Sequence, residues 1–172
     1  MDIRLVWPSE EHEGAVMDYK REFLDNGDSM DGTANLRGAE SYAQWLAAVR
    51  DNSDERTVHE GLVPASTFLA LNENGALVGM IDVRRRLNDH LSLYGGHIGY
   101  SVRKSERRKG YATRMLALAL DECRKLKIGR VLITCDRDNM ASRCTILKNN
   151  GVMENEIPEG GRFTQRYWIT LG

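Results

Sequence analysis

One amphipathic helix set between two strand-like apolar runs does most to limit what this chain can become. Over residues 109–127, Ala112, Met115, Leu116, Ala119 and Cys123 recur at helical spacing on one face, and Gly129 is placed to end the helix. Residues 97–103 read as a strand before it. Residues 131–135, VLITC, are a short β-branched run suited to a buried strand after it. A strand, a helix and a second strand form a crossover unit, which places the chain in the mixed α/β class.

The flanking segments extend this pattern. Ile3, Leu5 and Trp7 alternate in a first strand that Pro8 stops, and Ser9 followed by Glu10 and Glu11 reads as a helix N-cap. Val16, Tyr19 and Phe23 face a core from the helix that follows. Residues 25–38 are then rich in turn formers and are expected to be a mobile loop. Tyr42, Trp45, Leu46 and Val49 fall at i, i+3, i+4 and i+7, a stripe that either faces the core or meets a substrate. Two apolar runs, 65–71 and 76–83, are joined by Asn72-Glu73-Asn74-Gly75 and predict a β-hairpin. A helix over about 139–150, with Gly151 beyond it, and a closing pair of strands, 152–157 and 163–171, complete the order β-α-α-β-β-β-α-β-α-β-β.

With 172 residues the chain has the usual size of one domain, able to bury a core without disulfides or a structural metal. A formal net charge of −1 argues against a general nucleic-acid binder, since that affinity needs a surplus of Lys and Arg. No apolar run approaches the roughly 20 residues of a membrane span, and the first residues lack the pattern of a secretory signal. The expected location is therefore the cytoplasm. Cys123, Cys135 and Cys144 are spaced too widely for a CxxC motif and lie in apolar segments, so they are expected to be buried free thiols, and no metal is expected.

The stretch that carries chemistry is Gly99-Tyr-Ser-Val-Arg-Lys-Ser-Glu-Arg-Arg-Lys-Gly-Tyr-Ala-Thr113, a strand, a basic loop with a glycine, and a helix start. A helix N-terminus presents unpaired N–H groups and the positive end of its dipole, and Gly110 and Ala112 leave room for a phosphate to approach. Arg103, Lys104, Arg107, Arg108 and Lys109 either neutralise that phosphate or form a solvated, charged loop.

Arg107-Arg108-Lys109-Gly110-Tyr111-Ala112 resembles the (Gln/Arg)-x-x-Gly-x-(Gly/Ala) signature of the GNAT acetyltransferases. The strands on either side and Asn139-Met-Ala-Ser142 opening the next helix follow that family in order and spacing. The resemblance implies the GNAT acyl-CoA N-acyltransferase fold, a central mixed sheet of about six to seven strands with flanking helices, in one domain over 1–172. Within it, 65–155 would be the acetyl-CoA-binding core, 1–62 a variable segment shaping the acceptor side, and 156–172 a C-terminal strand. It implies acetyl-CoA as co-substrate and transfer of its acetyl group to a primary amine, by direct attack on the thioester. The acceptor would be a small molecule or a peptide, and a homodimer is compatible with this reading.

By the same resemblance, backbone groups near Val102 pair with the pantetheine arm. Arg107, Arg108, Lys109, Gly110, Tyr111, Ala112 and Thr113 hold the pyrophosphate, and Asn139 and Ser142 belong to the cofactor site. His97 is the candidate base, near where relatives often carry Glu, with an ordinary pKa of about 6.5 suited to proton transfer; the other readings put it in a hydrogen bond within the sheet or on the outer side. The Tyr by which many relatives protonate the departing thiolate falls at Ile146. Cys144 has no neighbouring base to activate it as a nucleophile. Trp45, Arg84, Arg86 and Tyr94, with Arg85 and Asn88, are candidates to line the acceptor side, where arginines would suit an anionic substrate; they read equally as a solvated strand end. The competing readings are a catalytically silent acyl-CoA-binding or sensor domain, which the missing Tyr favours, and a nucleotide or nucleic-acid module, which the cluster's lack of stacking aromatics disfavours.

Overall fold

The expected order of elements is the order found in the computed structural model, which describes residues 1–172. Strand β1 (Ile3–Val6) leads into helix α1 (Glu13–Asn26) and helix α2 (Tyr42–Asp51). The hairpin β2 (Ala65–Asn72) and β3 (Leu77–Arg84) follows, then β4 (Ile98–Val102), α3 (Tyr111–Lys125), β5 (Arg130–Asp136), α4 (Met140–Lys148), β6 (Val152–Glu159) and β7 (Arg162–Thr170). No helix is long and apolar enough to cross a membrane.

All seven strands are present, but they form two antiparallel sheets rather than one continuous ladder. The first runs β1-β2-β3-β4 and the second β5-β7-β6. β4 and β5 touch at one end only. There the His97 N–H donates to the Leu132 carbonyl at 2.7 Å, and the Leu132 N–H donates to His97 Nδ1 at 2.9 Å. Gly96 makes this approach possible: at φ +67° it takes a left-handed conformation, and a Cβ there would lie 2.5 Å from the Leu132 oxygen. Beyond this junction the two strands separate, and the gap between them is the central feature of the molecule.

The four-stranded sheet is covered on both faces. Val16, Tyr19 and Phe23 of α1 and Tyr42, Trp45, Leu46 and Val49 of α2 pack with Leu69, Leu71, Leu77 and Met80 on one face. Met115, Leu116, Ala119 and Cys123 of α3 pack with Phe68, Val78, Ile81 and Ile98 on the other, a core that continues into Val131, Ile133, Tyr167 and Ile169 of the second sheet. A strand buried on both faces reads as a continuous apolar run, which is why β2 and β3 do not alternate.

Three local expectations differ from the structure. Gly129 does not cap α3: after the helix's C-cap Leu126, Lys127 takes the left-handed conformation at φ +59°, and the Ile128 N–H returns to the Cys123 carbonyl. Cys144 is exposed, whereas Cys123 and Cys135 are buried. The turn-rich segment after α1 is seated in the fold, with Gly32, Thr33 and Leu36 buried. Gly32, at φ +72°, lies so close to β4 that a Cβ would stand 2.2 Å from the Gly99 carbonyl oxygen.

Candidate active site

The site is built where β4, the loop 103–110 and the start of α3 meet the gap. Arg84 and Arg103 pair with β3–β4 partners at alternate positions, through the Arg84 N–H to the His97 carbonyl and the Arg103 N–H to the Val78 carbonyl. Strand alternation therefore turns the main-chain groups of Ile98, Tyr100 and Val102 away from β3 and toward the gap. That edge offers N–H and C=O groups to an extended, amide-bearing ligand.

At the mouth of the gap, Gly110 at φ +84° is the N-cap of α3, with no side chain capping the helix. The first intrahelical bond there is the Arg114 N–H to the Gly110 carbonyl, so the N–H groups of Tyr111, Ala112 and Thr113 have no helical acceptor. Fifteen residues of helix stand behind them, and a helix end with free N–H groups is chemically suited to a phosphate.

The basic cluster beside it is less available than the sequence implied. Arg103 is held by Glu22 at 2.6 Å and Asp18 at 2.7 Å of α1. Arg107 donates through Nε to the Val102 carbonyl at 2.8 Å and lies 3.0 Å from Asp28 Oδ2, with its guanidinium over the Phe23 ring. Lys109 pairs with Glu106 at 2.9 Å. Lys104 and Arg108 form no ion pair and remain as the cations open to a phosphate. Arg107 thus acts on the protein's own backbone, a role sequence reasoning did not assign.

Across the gap, Asn139 caps α4 by accepting the Ser142 N–H at 3.1 Å, and the Ser142 hydroxyl lies 2.7 Å from the Tyr100 hydroxyl. Burial pushes the Tyr100 phenol up to about 12, so it keeps its proton at neutral pH. Ile146 is fully buried in the core. Cys135 stands close to Tyr100, and burial pushes its thiol up to about 11, away from the reactive range.

His97 does not have the geometry of a base. Its Nδ1 lone pair is taken by the Leu132 N–H, which leaves the ring proton on Nε2, and burial with Arg84 nearby pulls its pKa down to about 4. It is the pin that joins the two sheets. Because its folded pKa lies below the unfolded value of about 6.5, the stability it contributes is complete above that pH. That stability is lost as pH falls from about 6.5 toward 4. Denaturant unfolding of the protein and of His97→Asn at pH 7 and pH 4.5 should show a markedly smaller pH dependence in the variant.

The candidate acceptor residues are also placed differently. Trp45 is 1% exposed and donates from Nε1 to the Thr33 carbonyl at 2.7 Å, so it anchors the segment above β4 and is closed to a substrate. Arg84 is consumed by the Gly95 and Gly96 carbonyls and by Asp82, and Arg86 pairs with Glu55. Tyr94, in a π-helical turn over Leu91–Gly95, packs against His90 with the two rings tilted and remains partly open.

What the sequence reading missed is Asp82. Its side chain is 9% exposed, accepts the Gly99 N–H at 3.1 Å and lies 3.4 Å from Arg84. Burial raises its pKa above the ordinary carboxylate value, against the pull of Arg84 and that N–H. The signal was available: Asp82 is the one acid inside the apolar run Leu77–Arg84, and a buried carboxylate is costly unless it is partnered.

Residues 31–148 match the family described as "Acetyltransferase (GNAT) family". No curated protein matches the chain in sequence. Among solved structures, the chain is similar to the acetyl transferase of Salmonella typhimurium that modifies the N-terminal serine of 50S ribosomal subunit protein L7/L12. The identity is 19% over 99% of this chain and 95% of that one, with a TM-score of 0.69. It is similar to RimJ of Mycobacterium smegmatis, solved with CoA-disulfide, at 19% identity over 98% and 81%, TM-score 0.70. It is also similar to the Microcin C7 self immunity acetyltransferase MccE, solved with acetyl-CoA and AMP, at 18% identity over 99% and 93%, TM-score 0.71. At these identities the likeness is one of fold.

Proposed function

The chain belongs to the GNAT acetyltransferase family, and on that premise we propose that it transfers the acetyl group of acetyl-CoA to a primary amine of a peptide or small molecule. The observation that carries this reading is the β4–β5 gap, open along the main-chain edge of Ile98, Tyr100 and Val102 and closed at its mouth by the uncapped start of α3. The N–H groups of Tyr111, Ala112 and Thr113 bind the pyrophosphate, and Lys104 and Arg108 add charge. The edge of β4 takes the pantetheine arm, and Asn139 meets it from α4. The β4 N–H groups that face the gap stabilise negative charge on the thioester oxygen.

A free alkylamine titrates near about 10.4, so a proton must leave it before or during attack. Asp82 takes that role. It is the carboxylate next to Gly99 on the face covered by residues 28–38, and its raised pKa makes it a better proton acceptor than an exposed acid. On the cofactor side, the Tyr100–Ser142 hydroxyl pair supplies the proton for the departing sulfur, in place of the Tyr that Ile146 lacks. A thiolate is a tolerable leaving group, since thiols titrate near about 8.5, so this donor need not be strong.

Calorimetric titration with acetyl-CoA, followed by thiol-release assays against a panel of amines, tests the reading. Binding on the order of micromolar with thiol release supports it, binding without release supports a silent acyl-CoA domain, and no binding overturns both. Asp82→Asn should keep CoA affinity, lower acetyl transfer by about a hundredfold or more, and remove the rise in rate as pH climbs through the carboxylate's pKa. An unaltered pH profile in that variant would exclude Asp82 as the base.

A further inference from the structure

Asp82 and Arg84 lie two residues apart on β3 and so share a face, the one that Met80 presents to α1 and α2. Gly99 of β4 lies opposite Asp82, and a Cβ there would stand 3.0 Å from Asp82 Oδ1 and 3.2 Å from Arg84 Nη2. The missing side chain is the room in which the two groups meet. Asp82 Oδ1 accepts the Gly99 N–H at 3.1 Å, and Oδ2 lies 3.4 Å from Arg84 Nε.

The rest of the Arg84 guanidinium is held by a turn. Its Nη1 donates to the Gly95 carbonyl at 2.8 Å and to the Gly96 carbonyl at 3.0 Å, while the Arg84 main-chain N–H binds the His97 carbonyl at 2.7 Å. From these residues β4 and β5 diverge: Gly96 takes φ +67°, and His97 beside it binds Leu132. A guanidinium offers five N–H groups in a fixed fork. Here the fork spans the carboxylate on one side and the turn on the other.

We infer that Arg84 is a positioning residue, which holds the Asp82 carboxylate beside Gly99 and ties it to the Gly95–Gly96 turn where the cofactor gap begins. The inference rests on the reading of Asp82 as the base. A buried carboxylate with no cation beside it takes up a proton, and a protonated Asp82 cannot accept one from the amine. Burial pushes Asp82 toward that state, as does Asp31 from the segment 28–38; Arg84 and the Gly99 N–H oppose it. Burial, and with it the Arg84 charge, also keeps His97 neutral, so that Nδ1 stays open to the Leu132 N–H. One side chain thus serves both the base and the strand junction.

Carboxyl-carbon NMR of the aspartates reads Asp82 directly and needs no acceptor. Arg84→Gln should raise the Asp82 titration midpoint by about one pH unit or more; an unmoved midpoint overturns the inference and leaves Asp82 standing as the base. In the wild-type protein the Arg84 Nε resonance should shift at the Asp82 midpoint and lose that step in Asp82→Asn. A resonance blind to Asp82 overturns the inference even if Arg84→Gln does not fold. Thiol release with an amine from the panel separates the two readings, since the acid limb of the pH–rate profile should move up with the midpoint in Arg84→Gln, whereas damage to folding alone lowers the rate without moving the limb. If the midpoint moves and the limb does not, Asp82 is not the base, and the role of Arg84 in positioning it falls with that reading.

Discussion

Gly110→Glu lowers CoA affinity by at least about a hundredfold while the fold persists. Gly110 is the N-cap of α3 at φ +84°, and its neighbours Tyr111, Ala112 and Thr113 carry the N–H groups that face an incoming phosphate. A glutamate at this position fills the approach, repels the pyrophosphate, and can accept those same N–H groups with its own carboxylate. Two charge-assisted hydrogen bonds lost at about 1.5–3 kcal/mol each account for the size of the effect. Gly110→Ala separates the contributions. It meets only the Met1 side chain at 3.3 Å, and its left-handed backbone strain, of about 1–2 kcal/mol, falls on the free and the bound protein alike, so it should lose stability and keep CoA affinity to within about tenfold. Calorimetry on both variants, with circular dichroism as the check on folding, decides the matter; equal CoA affinity in wild type and Gly110→Glu would remove the phosphate from this turn.

The fold was legible because its elements are set by local signals. Tyr42, Trp45, Leu46 and Val49 fix α2 by spacing, Asn72 to Gly75 fixes the β2–β3 turn, and Ser9 marks the first helical turn. The division of the strands into two sheets was not legible, because it depends on a contact between His97 and Leu132 that no periodicity records. The site divides in the same way. The helix starts at Gly110 and Asn139 depend on their own local backbone and could be placed from sequence. Arg103 and Arg107 could not, since their partners Asp18, Glu22 and Asp28 lie about eighty residues away, and a charge counted in sequence says nothing of whether it is already neutralised in space. His97 failed for a related reason: its ordinary pKa suited a base, but burial and a backbone donor have removed its lone pair from use. Asp82 belongs to no cluster of charge, and its only mark in the sequence is that it is the single acid in a buried strand.

Gly32→Ala should cost about 3 kcal/mol or more of stability, seen as a fall of about 10 °C in Tm. The methyl group would stand 2.2 Å from the Gly99 oxygen and 2.7 Å from the Tyr100 Cα, and φ +72° is strained for alanine even in open space. A surface loop would relieve such a clash by moving outward, but this one is tied at several points. Arg37 binds the Asp28 carbonyl, Trp45 binds the Thr33 carbonyl, the Thr33 hydroxyl binds the Met30 carbonyl, and Leu36 is fully buried. The strain is therefore passed either into β4 at Gly99, beside Asp82, or into the anchors of the segment. On both routes acetyl transfer suffers more than cofactor binding, because the contacts to the pyrophosphate lie at the other end of β4: transfer should fall by over a hundredfold and CoA affinity by no more than about tenfold, the scale of a typical coupling between sites. A variant with wild-type Tm and wild-type turnover would mean that residues 28–38 do not rest on β4 in solution, and that the acceptor side of the site is formed by something else.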